Sequence, residues 1–160
     1  MVNKSFSIII PILNENENIS ILFNRIKKKC QKHLYEIIFV DDNSTDGSIE
    51  TLKKIVKNNN KLKYFVRKNK VNDLCMSISL GISKSKYENI LVMDGDLQHD
   101  PNYLPRIMEI FIKKNSDFLI CVRDFKKNSG LSILRSFSSR LLIFIVNVLF
   151  GKKVSASKSA

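Results

Sequence analysis

The sequence is poor in cysteine and has no long uninterrupted apolar run, and several common catalytic motifs are missing from it. Its three cysteines, Cys30, Cys75 and Cys121, lie far apart. No pair has C-x-x-C spacing, which excludes a redox motif or zinc ribbon, and each lies in an apolar-periodic segment where a reduced core residue is expected. The N-terminus offers Lys4 and then only Ile8-Ile9-Ile10 before Pro11 and a polar Asn/Glu run. The apolar core of a signal peptide is therefore missing, and the chain is expected to stay in the cytoplasm. Leu141 to Phe150 is apolar for ten residues but interrupted by Asn147, against the ~20 residues that span a bilayer. There is no G-x-x-x-x-G-K-[ST] phosphate loop, no G-x-G-x-x-G after the first apolar run and no G-x-S-x-G, so ATPase, dinucleotide-binding and serine-hydrolase readings lose their main support. Internal repeats, low-complexity linkers and a second domain are also absent.

What is present suits a globular chain: 160 residues with 44% hydrophobic content can bury a real core. The formal charge is +12, and it is unevenly placed. From Arg123 to Ala160 eight basic residues face one acid, so +7 of the total lies in the last 38 residues. Basic flanks around the apolar Leu141 to Phe150 stretch fit a segment lying in an anionic membrane surface; a core or subunit-interface helix with solvated lysines fits equally.

Apolar runs of strand length alternate with stretches of helical period. Phe6 to Leu13 reads as a strand, and Ile19, Leu22, Phe23 and Ile26 then recur on one helix face. Tyr35 to Val40 is the next strand, followed by a loop in which Ser44, Thr45 or Asp46 caps a helix carrying Ile49, Leu52 and Val56. Lys61 to Val66, a helix over residues 72–84, the strand Asn89 to Met93, a helix opened by Pro101 and the strand Asp117 to Val122 complete the series. Such alternation predicts an α/β fold, a mostly parallel sheet with helices on both faces. In open sheets of this kind the ligand sits outside the carboxyl ends of the strands. Those ends carry Asn14-Glu15, Asp41-Asp42-Asn43, Arg67 and Asp94-Gly95-Asp96.

Asp94 and Asp96 flank a glycine on a tight turn, so two carboxylates can aim at one point. Close carboxylates repel unless they share a proton or hold a cation, and oxygen ligands suit Mg²⁺ or Mn²⁺ completed by water and phosphate oxygens. A solvated turn is the alternative. Asp41 and Asp42 offer acceptors for the N–H edge of a nucleobase; an Asx turn capping a helix is the alternative there. His99 reads as a metal ligand or as a loop histidine, and His33 as a surface residue.

"SIIIPILNENENI", "IIFVDDNSTDGS" and "ILVMDGDLQHDP", in that order and spacing, closely resemble family 2 glycosyltransferases of the GT-A fold. Within them the chain is similar to the polyprenyl-phosphate branch, over roughly residues 5–155. The resemblance implies a Rossmann-like nucleotide-diphospho-sugar transferase core over 1–125 and a basic, apolar helical segment over 126–160. It implies that Pro11, Asn14, Glu15, Asp41, Asp42 and Asp94 form the nucleotide site. Asp94, Asp96 and Gln98 would hold Mg²⁺ or Mn²⁺ and the donor diphosphate. Arg123 and the pair Arg135 and Ser139 fall where the branch meets donor and lipid phosphates, with Asp96 completing the catalytic set.

The implied reaction is inverting transfer of a hexose from a GDP- or UDP-sugar to a polyprenyl phosphate lipid, by a peripheral enzyme at the cytoplasmic face of a membrane, with a homo-oligomer as one possible assembly. Two departures stand out. After "LFGKKVS" relatives continue with an Asp-Pro-x-Ser-Gly-like segment, where this sequence has Ala156 in the acid's place and ends at Ala160; a truncated chain is expected, with a non-catalytic nucleotide-sugar-binding or membrane-associating remnant as the alternative function. Asn72 and Asp73 stand where many relatives have small residues. Nucleic-acid binding rests on net charge alone, and the acidic strand ends oppose it.

Overall fold

The computed structural model describes residues 5–68, 71–122 and 156–158. Arg123, Arg135 and Ser139, and most of the segment expected over 126–160, lie outside them. Chain contacts divide the molecule into one unit over Met1–Met108 and another over Glu109–Ala160, whereas the resemblance implies a core over 1–125.

The first unit holds four parallel strands, β1 (Phe6–Ile12), β2 (Tyr35–Asp41), β3 (Leu62–Val66) and β4 (Asn89–Val92), in the order β3-β2-β1-β4. Helices α1 (Asn16–Lys29), α2 (Ser48–Val56) and α3 (Leu74–Ser83) make the crossovers. Right-handed crossovers place α1 and α2 on one face, because β1, β2 and β3 step in one direction; the step from β3 back to β4 places α3 on the other. The chain therefore reverses direction between β1 and β4, which is the switch point where open α/β sheets open a crevice.

The central strands β1 and β2 are buried along their whole length, as continuous apolar runs require when helices cover both faces. On the α3 face Ile9, Ile38 and Val40 form a cluster against Phe65, Leu80 and Ile90. The alternate residues Ile8, Ile10, Ile37 and Phe39 point to the other face and are likewise fully buried. Helix α1 buries the four residues that the period selects, Ile19, Leu22, Phe23 and Ile26.

Helix α3 departs from the pattern. It buries only Ser77 and Gly81, four residues apart, and leaves Leu74, Met76 and Ile82 about half exposed. The reason is close approach: a Cβ on Gly81 would stand 2.5 Å from the Ile9 Cγ2, so small residues face the sheet and large ones turn out. Cys75 is consequently exposed, and so is Cys121, in correction of the core positions expected for both; Cys30 is buried, with its thiol pushed up to about 11 by burial.

At the amino ends of the strands, Glu36 is 4% exposed. Its Oε1 accepts from the Ser7 hydroxyl at 2.7 Å and the Lys86 N–H at 2.5 Å, and Lys63 Nζ lies 2.7 Å from Oε2. Burial alone would raise its pKa, but these hydrogen bonds and the Lys63 charge outweigh it and hold the carboxyl below its ordinary value. A folded pKa held below the unfolded one gives stability that is present above the unfolded value and lost as pH falls through the folded one. Glu36→Gln is expected to cost about 1.5 to 3 kcal/mol at neutral pH and to flatten the stability profile below pH 4.5, the ordinary glutamate value. Urea titrations from pH 3 to 7 check it; parallel acid limbs for variant and wild type contradict it.

The second unit contains β5 (Ile120–Val122), paired in parallel with β6 (Ala156–Lys158), so the described end of the segment expected to be helical is a strand. Helix α4 (Leu104–Lys114) begins after a 3-10 turn opened by Pro101 and buries Leu104 and Met108. Among the described residues no helix is long and apolar enough to cross a membrane.

Candidate functional site

Three loops meet at the carboxyl edge of the sheet. The loop after β1 is stitched to the loop after β2 by a row of hydrogen bonds. Asn14 N–H donates to Ser44 Oγ at 2.8 Å, Thr45 N–H to Asn14 Oδ1 at 2.9 Å, Glu15 N–H to Ser48 Oγ at 3.1 Å and Asn16 N–H to Asp46 Oδ2 at 2.9 Å. Asn14 sits in the left-handed region at φ 57 and Asn43 at φ 69, which asparagine tolerates better than most residues. Helix α2 starts from Gly47 at φ 94, and Asp46 Oδ1 accepts from Ser48 N–H at 3.0 Å. Asp46 thus supports the first turn from just outside the cap position expected for it.

Asp41 and Asp42 have separate fates. Asp41 is fully buried; its Oδ1 accepts from Ser44 N–H at 2.8 Å, and its Oδ2 has no partner among the described residues. Asp42 is 6% exposed and pairs with Arg67, itself 7% exposed. The other Asp42 oxygen accepts from Asp73 N–H at 2.6 Å, while Arg67 Nη1 also donates to the Asp73 carbonyl at 2.8 Å and to Ser77 Oγ at 3.2 Å. The parallel register explains the pairing: Asp41 lies opposite Val66, so the next residues, Asp42 and Arg67, leave the sheet side by side.

Beside this knot is a cavity of about 270 Å³ lined by Pro11, Ile12, Leu13, Asp42, Asn72, Asp73 and Leu74. Its volume lies just below the range of about 300 to 1,000 Å³ usual for ligand pockets. Pro11 and Asp42 of the expected nucleotide site line it; Asn14, Glu15, Asp41 and Asp94 do not. Asn72 and Asp73, the departures from the family pattern, form its far wall. The sequence places Arg67 at the ligand edge, directly after a strand-length apolar run, but does not reveal Asp42 as its partner.

The third loop follows β4. Gly95 is buried, and a Cβ there would meet Ile12 Cγ2 at 2.7 Å and Glu15 Cγ at 3.6 Å. This packing seats the acidic turn beside the loop after β1, at the switch point. Asp96 Oδ1 accepts from Gln98 N–H at 2.9 Å, and its Oδ2 has no hydrogen-bond partner among the described residues. Asp94 is half exposed and Asp96 partly buried. Among the described residues no three His, Cys, Asp or Glu side chains gather into a metal cluster. Two carboxylates with unspent oxygens still fit Mg²⁺ or Mn²⁺, which takes one or two protein carboxylates and fills its remaining positions with water and phosphate oxygens.

The chain is similar to known proteins in sequence and in fold. The sequence model of the family described as Glycosyl transferase family 2 matches residues 7–154. The dolichol-phosphate mannosyltransferase of Pyrococcus furiosus is 37% identical over 123 residues, covering 75% of this chain and 33% of that protein. The undecaprenyl-phosphate 4-deoxy-4-formamido-L-arabinose transferase of Yersinia enterocolitica is 29% identical over 153 residues, covering 94% of this chain and 46% of that protein. The chain thus spans less than half the length of either relative. A mannosyltransferase from Pyrobaculum calidifontis, solved in complex with GDP-Man and Mn²⁺, matches in structure with a TM-score of 0.62 at 18% identity, covering 74% of this chain and 35% of that one. Likeness at that identity is one of fold, and the fold is the α/β, Rossmann-like GT-A type.

Proposed function

The chain belongs to glycosyl transferase family 2, and from that premise we propose that it binds a nucleotide-diphosphate sugar at the carboxyl edge of its sheet and passes the sugar to a polyprenyl phosphate, with inversion at the anomeric carbon. The observation that carries the donor half is the juxtaposition of a cavity walled by Asp42 with an acidic turn packed against Ile12 at the switch point. The names of the two relatives support the acceptor half.

In this reading Pro11, Leu13 and Leu74 flank the base, and the lone pairs that Asp42 does not spend on Arg67 and Asp73 accept its N–H edge. Asn14 and Glu15 act by holding the loop beneath the ribose and diphosphate. Asp94, Asp96 and Gln98 hold Mg²⁺ or Mn²⁺, which supplies charge neutralisation to the leaving diphosphate when bound. The acceptor phosphate is anionic at neutral pH, so it attacks the anomeric carbon without a strong protein base while the bond to the diphosphate breaks and the nucleoside diphosphate leaves. Catalysis then rests on positioning and on charge stabilisation, with Arg123, Arg135 and Ser139 assigned to the phosphates. A lipid acceptor places the protein peripherally on a membrane.

The test is calorimetric titration with GDP and with UDP, each with and without Mn²⁺. One nucleotide is expected to bind, more tightly with the metal, and its identity names the donor base. If neither binds under either condition, the donor-site reading fails.

A further inference from the structure

Met93 N–H makes the last sheet bond of the fourth strand, to the Ile9 carbonyl at 3.1 Å. The next donor along the chain, Asp94 N–H, has left the ladder and belongs to the first residue of the acidic turn. It is taken up by a side chain, the His99 Nδ1 at 3.2 Å. The same nitrogen is 3.5 Å from Asp94 Oδ2, which is too long for a hydrogen bond. An imidazole nitrogen accepts through its lone pair, so this geometry spends Nδ1 on the backbone and leaves Nε2 as the ring's donor.

The turn needs such a closure. Leu97 lies at φ 63, a region that disfavours any residue with a Cβ, and such a conformation persists only where the surroundings over-determine it. From below the turn is pinned by Gly95 against Ile12, and inside it by Gln98 N–H on Asp96 Oδ1. The His99 bond closes the remaining side, spanning Asp94 to His99 around Leu97.

We propose that His99 is a positioning residue for the acidic turn: by accepting the Asp94 N–H at Nδ1 it holds Asp94 and Asp96 in the arrangement that takes up a divalent cation. This rests on the donor-site reading above. It also gives His99 a place outside the ligand set, where sequence reasoning left a metal ligand and a loop histidine open.

The variants separate these roles by geometry. The amide oxygen of a His99→Asn change falls near the place of Nδ1, whereas His99→Gln reaches the place of Nε2. Mn²⁺ affinity in the presence of the nucleotide that binds, read by electron paramagnetic resonance, is expected to fall about 10- to 100-fold in His99→Ala and His99→Gln and to stay within about threefold of wild type in His99→Asn, the range seen when an outer partner of a metal ligand is removed. His99 is 53% exposed, so the melting temperatures should be those of wild type. A second readout needs no metal: ¹⁵N resonances of the free protein should show the His99 proton on Nε2. Unchanged Mn²⁺ affinity in all three variants overturns the proposal. Recovery by glutamine in place of asparagine overturns it in favour of a ligand, and a proton on Nδ1 in wild type overturns its geometric basis. If wild type itself takes up no Mn²⁺, the donor-site reading fails as well, and the nitrogen spectrum still reports whether the hydrogen bond exists.

Discussion

Arg67→Met is expected to lower the unfolding free energy by about 3 to 5 kcal/mol, because it strands the Asp42 carboxylate in the interior. The side chains of the pair are only 6% and 9% exposed. Two ions taken out of water pay a desolvation cost of several kcal/mol each, and their mutual attraction recovers most of it only while both remain. Removing one leaves the cost without the recovery. The same change deprives the Asp73 carbonyl and Ser77 Oγ of a donor, so the first turn of α3 loosens along with the cavity wall it forms. Against a total stability of about 5 to 15 kcal/mol the loss is large, and for a domain of this size it corresponds to a fall in Tm on the order of 10 °C. The double variant Arg67→Met with Asp42→Leu removes both charges and should regain at least half of the loss. Denaturant unfolding of wild type, single and double variants decides: a single-variant loss below about 1 kcal/mol, the range of an exposed pair, would mean that the two charges are not sequestered together.

The same knot shows where sequence reasoning stops. Strand and helix boundaries are local, and the period of two or of 3.6 reveals them: Ile19, Leu22, Phe23 and Ile26 were identifiable as one buried face before any coordinates. The acidic turn after β4 was legible for the same reason, since an apolar run that ends in Asp-Gly-Asp marks its own edge. The Asp42 to Arg67 pair joins residues 25 apart in the sequence, and Asp42 to Asp73 spans 31. Their meeting depends on the register of β2 against β3, which alternation cannot supply. Strand order is equally non-local, and with it the knowledge that the switch point falls between β1 and β4. Helix α3 shows a different gap. Its apolar residues suggested a core face that would have taken Cys75 inside, but the sheet approaches so closely at Gly81 that only small residues fit beneath. Periodicity reports which residues are apolar; the separation of helix and sheet decides which of them are covered.

Asp96→Asn should abolish the metal-dependent part of nucleotide binding, by about 100-fold or 2.7 kcal/mol, while leaving the turn in place. The amide keeps an oxygen where Asp96 Oδ1 accepts from Gln98 N–H at 2.9 Å, so the local hydrogen bond survives and only the charge is lost. Asp96→Ala removes both, and the difference between the two variants measures what the turn contributes apart from the charge. Asp96 is partly exposed and makes no ion pair among the described residues, so neither change should shift the unfolding free energy by more than the few tenths of a kcal/mol usual for surface sites. Titration of each variant with the nucleotide that wild type binds, with and without Mn²⁺, provides the measurement. Equal affinity with and without metal in both variants, at the level of metal-free wild type, places the cation on Asp96. A variant that keeps the full metal effect would move the cation elsewhere on the carboxyl edge, and Asp41, whose buried Oδ2 has no partner among the described residues, would become the carboxylate to substitute next.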